Sequence, residues 1–245
     1  MKVELRGVEG MPEISPGDDL AALIVAAASP LQSGDVIVVA QKVVSKAEGR
    51  LRDLRDVAPS ERARDLARNL GADPRLVQVI LDESTRVVRE DRVLIVETHQ
   101  GFVCANAGVD RSNVAGEDSV CLLPLDCDAS ARLLRERIAS LSEVSVGVIV
   151  SDTFGRAWRM GLVNVALGVA GIPAVVDYRG RPDDFGMPLS ATVVAVADEL
   201  AAAAELLMGK TRRVPVVVVR GLDVFEGVSG TGQELVRPHE LDLFR

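Results

Sequence analysis

SVGVIVSDTFGRAWRMG, residues 145–161, is the stretch that decides the fold, because an apolar run breaks there into a cluster of acid, hydroxyl and guanidinium groups. Val146, Val148, Ile149 and Val150 are β-branched and uninterrupted by charge, which predicts a strand buried on both faces. Ser151, Asp152 and Thr153 then supply oxygen donors, Gly155 lets the backbone turn, and Arg156 and Arg159 bring two cations to the same point. Oxygens and arginines at a strand end suit a metal and phosphate site. The competing reading is a capped turn with solvated arginines, and this stretch alone does not separate the two.

Working outward, LVNVALGVAGIPAVV (162–176) mixes small and β-branched residues, and periodicity leaves a tight helix and strands both open. On the other side, LLPLDCDASARLLRERI (122–138) predicts a loop and a helix capped by Asp128, with Leu133, Leu134 and Ile138 buried. A second apolar strand, VIVVAQKVVSK (36–46), gives way to polar groups at Gln41, Lys42, Ser45 and Lys46. KAEGR (46–50) is small enough for a phosphate to approach the backbone beside an ammonium, or is a surface turn.

Between these lie a short strand at 2–5, a helix from Asp18 or Asp19 to about Ala28, and helices at 60–70 and 74–81. A hairpin is expected over 93–110, with Gly101 in its turn and His99, read as a solvated turn residue, at its tip. NAGVDRSN (106–113) follows and offers Asp110 as the second carboxylate that a hard cation would want. Residues 189–196 alternate as a strand, 197–208 form a helix ended by Gly209, and VPVVVVRGLDV (214–224) is the last buried strand. Gly209, Lys210 and Thr211 imitate the tail of a GxxxxGK[ST] phosphate loop, but the first glycine position holds Ala204 and the tripeptide closes a helix instead of opening one.

Composition removes several function classes. The 245 residues are 48% hydrophobic, enough for a large core, and 28 Lys and Arg against 36 Asp and Glu leave a net charge of −8. With no basic block, nucleic acid is not an expected partner. The N-terminus lacks a signal-peptide core, and no run approaches the roughly 18 apolar residues of a membrane helix, so a cytoplasmic protein without membrane contact is expected. The three cysteines, Cys104, Cys121 and Cys127, contain no CxxC pair and read as small hydrophobes. No GxGxxG follows a strand, and neither GxSxG nor HExxH occurs. The irregular order of strands and helices predicts an α+β class, mixed sheets with packed helices in a single domain over 1–245.

Three separated places are thus alike in kind: Lys46, Asp110 with Asn113, and Asp152 with Thr153. VVSKAEGR (43–50), NAGVDRSNV (106–114), SDTFGRAWRMG (151–161) and VADELAAAAELLMGK (196–210) resemble, in order and at similar spacing, the signature stretches of the coenzyme F420-0:L-glutamate ligase family. The resemblance implies the family's own α+β fold as an intertwined homodimer, in the free-standing form without a C-terminal nitroreductase-like domain. It implies GTP-dependent joining of L-glutamate to coenzyme F420-0, followed by γ-linked additions.

Asp110, Asp152 and Thr153 would hold divalent metal (Mg²⁺ or Mn²⁺), with K⁺ as a further cation. Met11, Pro12, Glu13, Ile14, Gln41, Lys42, Lys46 and Asn113 would line GTP. Gln41 stands where the family pattern has a small hydroxyl residue. Asp110, Asp152, Arg156 and Arg159 are the catalytic candidates, the arginines from charge and position only. Two alternatives stand beside this reading: a ligase for another carboxylate acceptor, and a non-catalytic GTP-binding regulatory dimer.

Overall fold

A computed structural model describes residues 2–112, 116–222 and 228–242. In chain order the elements are β1 (Glu4–Gly7), α1 (Leu20–Ala28), β2 (Val36–Ala40), α2 (Gln41–Ala47), β3 (Leu51–Asp53), α3 (Glu61–Leu70), α4 (Pro74–Asp82) and β4 (Ser84–Glu90). They continue with β5 (Leu94–Thr98), β6 (Val103–Ala105), β7 (Ser119–Cys121), α5 (Cys127–Ser142), β8 (Gly147–Arg156), β9 (Arg159–Ala170), β10 (Val176–Asp177), β11 (Val193–Val194), α6 (Val196–Met208) and β12 (Val216–Arg220).

The principal sheet has the order β1-β12-β2-β8-β9. Its centre is the parallel pair β2 and β8; the other neighbours run antiparallel. Strand side chains alternate between faces, and both faces here are covered, which explains why these strands are apolar throughout. Ile37, Val39, Val148, Val150, Val216 and Val218 point to a core shared with α1 and α5. Val36, Val38, Ile149, Val217 and Val219 point to the opposite core, where α6 contributes Ala197, Leu200, Ala201, Ala204 and Met208 from one stripe. A separate antiparallel sheet, β4-β5-β6, is packed by α3 and α4. The class is α+β.

Local chemistry sets the helix ends. Asp19 caps α1 through the Ala22 N–H at 3.1 Å, Ser60 caps α3, and Gly71 closes α3 in the left-handed region at φ 63°. Asp73 caps α4, which has Pro74 in its first turn.

Several expectations need correction. The polar half of 36–46 is a helix, not the end of a strand: β2 passes into α2 with Ala40 as its extended cap residue. Gly155 does not turn the chain. β8 runs to Arg156, the tight turn falls at 157–158 where Trp158 has φ 59°, and of the undecided stretch 162–176 the residues up to Ala170 belong to the return strand β9, while Val176 opens β10. Asp126, not Asp128, caps α5. The Asp128 carboxylate instead accepts the backbone N–H groups of Val169 at 2.8 Å, Gly232 at 2.6 Å and Gln233 at 3.3 Å. Leu133 lies on the solvent side of α5, while Leu134 and Ile138 are buried. The first strand sits at Glu4–Gly7, the strand expected over 189–196 shrinks to Val193–Val194, and β4 had no expectation.

β9 crosses so close to the start of α5 that a Cβ on Gly168 would lie 1.9 Å from the Cys127 carbonyl oxygen. At Gly155 the nearest atom to such a Cβ is Leu162 Cδ2 at 4.0 Å. Gly168→Ala is therefore expected to cost about 3 kcal/mol of stability in urea unfolding, and Gly155→Ala less than about 0.5 kcal/mol.

Candidate functional site

The parallel pairing of β2 and β8 ends at Ala40 opposite Ser151. Beyond it β2 becomes helix while β8 continues, so Asp152 and Thr153 are the first β8 residues past the end of β2. The β8–β9 register shifts between Val150 and Ser151, an irregularity of the kind that re-aims side chains. On α2, Lys42 and Lys46 are one turn apart on one face and Gln41 and Ser45 on another. Asp110 is fixed from a third direction by reciprocal backbone bonds with Cys121, at 3.0 and 2.8 Å.

Charged groups converge at this ledge. Lys42 Nζ lies 2.6 Å from Asp110 Oδ2 and donates to Ser112 Oγ at 2.5 Å, while the Ser112 N–H donates to Asp110 Oδ1 at 2.7 Å. Lys46 is buried and pairs with the Glu13 carboxylate from the 11–14 loop. Of that loop, Ile14 is in the core, Met11 packs against it and Pro12 is exposed. Lys210, just past α6, donates to Thr153 Oγ1 and pairs with Glu205 at 2.9 Å. The Thr153 hydroxyl donates to Asn164 Oδ1 at 2.7 Å. Gln41 is 1% exposed; its carbonyl accepts from Ser45 at 2.9 Å, but its Nε2 has no partner among the described residues. A buried donor left unpaired forfeits its hydration, roughly 1–3 kcal/mol.

The two carboxylates are shifted in opposite directions from their ordinary values. Burial and then the Asp110 charge push Asp152 up to about 6, against the Thr153 N–H and the charges of Lys42 and Lys210. Burial also works to raise Asp110, but Lys42 and the Ser112 N–H outweigh it and hold it below the ordinary carboxylate value. Burial, with the Asp152 charge behind it, pushes the Cys104 thiol up to about 12, and burial raises Cys121 and Cys127 as well. The cysteines are free and buried, as expected of small hydrophobes.

Among the described residues no three His, Cys, Asp or Glu side chains converge as a closed metal cage. The donor set Asp110, Asp152 and Thr153 nevertheless fits a hard cation. The Asp110 charge raises Asp152, the Thr153 hydroxyl has its proton directed to Asn164, and ammonium groups already sit on Asp110 and Thr153. Such an open set leaves coordination positions for phosphate oxygens.

The fold thus gathers Glu13, Lys42, Lys46, Asp110, Asp152 and Thr153. It does not bring in Arg156 and Arg159, which face each other at the exposed hairpin tip about 10 Å further along the strand, with Arg156 donating to the Met160 carbonyl at 2.7 Å. Asn113 lies outside the described residues. His99 is at the hairpin turn, with Nε2 2.9 Å from the Asp82 carbonyl. Sequence reasoning missed Asn164 and Lys210. A lone polar residue inside the apolar run 162–170 was the available signal for Asn164.

Paired carboxylates and lysines on one ledge beside a sheet are the equipment of an enzyme, and comparison with known proteins gives its class, the ligases. A model of the F420-0:Gamma-glutamyl ligase family matches residues 10–221. The chain is 47% identical to the coenzyme F420:L-glutamate ligase of Archaeoglobus fulgidus over 246 residues, covering all of this chain and 97% of that one. It is 46% identical to the protein of that name from Methanothermobacter thermautotrophicus over the whole of both chains, and 44% identical to that of Methanocaldococcus jannaschii, again over all of this chain and 97% of the relative. The chain belongs to the F420-0:Gamma-glutamyl ligase family. Among the described residues no helix is long and apolar enough to cross a membrane.

Asp152 holds its proton more tightly folded than unfolded, so stability falls as pH rises from about 4 to about 6 and stays lower above. Asp152→Asn should stabilise the metal-free protein by about 3 kcal/mol at pH 7 and by less than about 1 kcal/mol at pH 4, read from urea unfolding at both.

Proposed function

We propose that this protein joins L-glutamate to coenzyme F420-0 through an amide bond in coenzyme F420 biosynthesis, using GTP, and then adds further glutamate through γ-linkages. The observation that carries the reading is near-half identity over the full chain to proteins of that name, together with carboxylates and lysines gathered at one ledge. In this reading residues 1–245 act as one cytoplasmic ligase domain.

A carboxylate forms an amide slowly until one of its oxygens becomes a leaving group. The F420-0 carboxylate oxygen attacks the γ-phosphorus of GTP, the bond to the β-phosphate oxygen breaks, and GDP leaves. The glutamate amine then attacks the acyl carbon of the acyl phosphate, phosphate departs and the amine loses a proton. Lys46 and Lys42, with the 11–14 loop, Gln41 and Asn113, hold the nucleotide; the unpaired Gln41 Nε2 supports a ligand contact there. Asp110, Asp152 and Thr153 hold the divalent ion, Mg²⁺ or Mn²⁺, whose charge when bound offsets that of the phosphates. Arg156 and Arg159 take up substrate carboxylate or phosphate from the hairpin end.

The same proposal includes a homodimer. Trp158, Met160 and Leu162, 80, 94 and 66% exposed at the β8–β9 tip, form an apolar surface that a second copy would cover. Sedimentation should return twice the chain mass, and Met160→Glu with Leu162→Glu should shift it towards one chain mass.

Incubation with F420-0, glutamate, GTP and Mg²⁺ should give products heavier by whole glutamyl units in a mass spectrum. Asp152→Ala should reduce that conversion at least about a hundredfold. No mass increase with the wild-type protein would remove the acceptor assignment, leaving a ligase for another carboxylate.

A further inference from the structure

Lys210 has no part in the reading above, and the phosphate-loop motif it imitates is incomplete. Its ammonium nevertheless ends at the site, on Thr153 Oγ1, with Glu205 Oε1 2.9 Å away. The Thr153 proton is committed to Asn164 Oδ1 at 2.7 Å. The orientation of that amide is set by Nδ2 lying 3.8 Å from Met208 Sδ, which accepts but cannot donate. The lone pairs of the Thr153 oxygen therefore face a cation, and the cation in place is Lys210. Asp110 is held in the same way, its Oδ2 2.6 Å from Lys42 Nζ.

We propose that Lys210 is a stand-in cation: it occupies the Thr153 oxygen while no metal is bound, and a divalent ion must displace it to load. The inference rests on the metal reading of Asp110, Asp152 and Thr153. A divalent ion and an ammonium compete for the same lone pairs, and their mutual repulsion at contact distance opposes joint occupancy. The displaced ammonium has somewhere to go, because Glu205 remains its partner and the Lys210 side chain is 60% exposed. Metal therefore loads weakly alone, and better together with nucleotide phosphates that give the displaced lysine a second anionic partner. Lys210 ties metal loading to nucleotide arrival, and Asn164 is the positioning residue that keeps the Thr153 lone pairs turned towards whichever cation is present.

The test is Mn²⁺ binding without nucleotide, followed by the electron paramagnetic resonance signal of the free ion, in the wild type, Lys210→Met, Arg212→Met and Asp152→Asn. Arg212 is a neighbouring exposed cation that donates to the Leu206 carbonyl at 3.0 Å. Lys210→Met should bind Mn²⁺ at least about fivefold more tightly than the wild type, and Arg212→Met within about twofold of it. Unchanged or weaker binding by Lys210→Met, no detectable binding by either it or the wild type, or equal tightening in Arg212→Met would overturn the stand-in role. Loss of binding in Asp152→Asn leaves the metal reading intact in each case except the absence of all binding. Undiminished binding in Asp152→Asn would overturn that reading and the stand-in with it.

Discussion

The parallel pairing of two strands of unequal length is the constraint on which the rest of the molecule depends. β2 and β8 are held in register from Val36 opposite Gly147 to Ala40 opposite Ser151, and their side chains fill cores on both sheet faces. Each fully buried aliphatic side chain there contributes about 1.5–3 kcal/mol, so a slip of one residue would exchange the two cores and is strongly disfavoured. Because the register is fixed, so is the place where β2 stops and β8 continues. Asp152 and Thr153 project at that step, and α2 delivers its lysines to the same step from the other side.

The two ends of β2 treat charge differently. Before its first residue, Asp35, 1% exposed, meets the Arg220 guanidinium through two bonds of 2.7 Å and accepts the Gln32 N–H at 2.8 Å. Every strong acceptor there is matched, as a structural ion pair requires. Beyond its last residue the balance is incomplete. One carboxylate is raised by burial and by the other's charge, and a buried amide donor has no partner among the described residues. Matched charge stabilises a fold; mismatched charge held in place by a stiff sheet is available to a ligand.

Legibility in the sequence followed the range of the forces involved. Val148, Ile149 and Val150 announced a doubly buried strand because burial leaves no polar alternation, and Ser60 with Gly71 and Asp73 with Pro74 marked helix ends because caps act locally. The carboxylates Asp110 and Asp152 were found as exceptions to local packing. The helix at 41–47 was hidden because Val43 and Val44 continue the β-branched character of the strand and Ala40 offers no capping side chain. The hairpin turn was misplaced because Gly155 is the obvious breaker, whereas Trp158 takes the left-handed conformation. Lys210 could not be placed from its neighbours: its position depends on where α6 ends relative to Thr153, a tertiary fact.

The step between β2 and β8 also governs how the protein comes into being. Its two strands are about a hundred residues apart in sequence, and Lys42, Asp110, Asp152 and Lys210 arrive on four well-separated segments. Closing such long loops is slow and yields no local reward until the central sheet pairs. The short helices and hairpins have little stability of their own, so the charges meet only once the central sheet has formed. The gathering of charges at the ledge should therefore appear together with global cooperative folding, not before it.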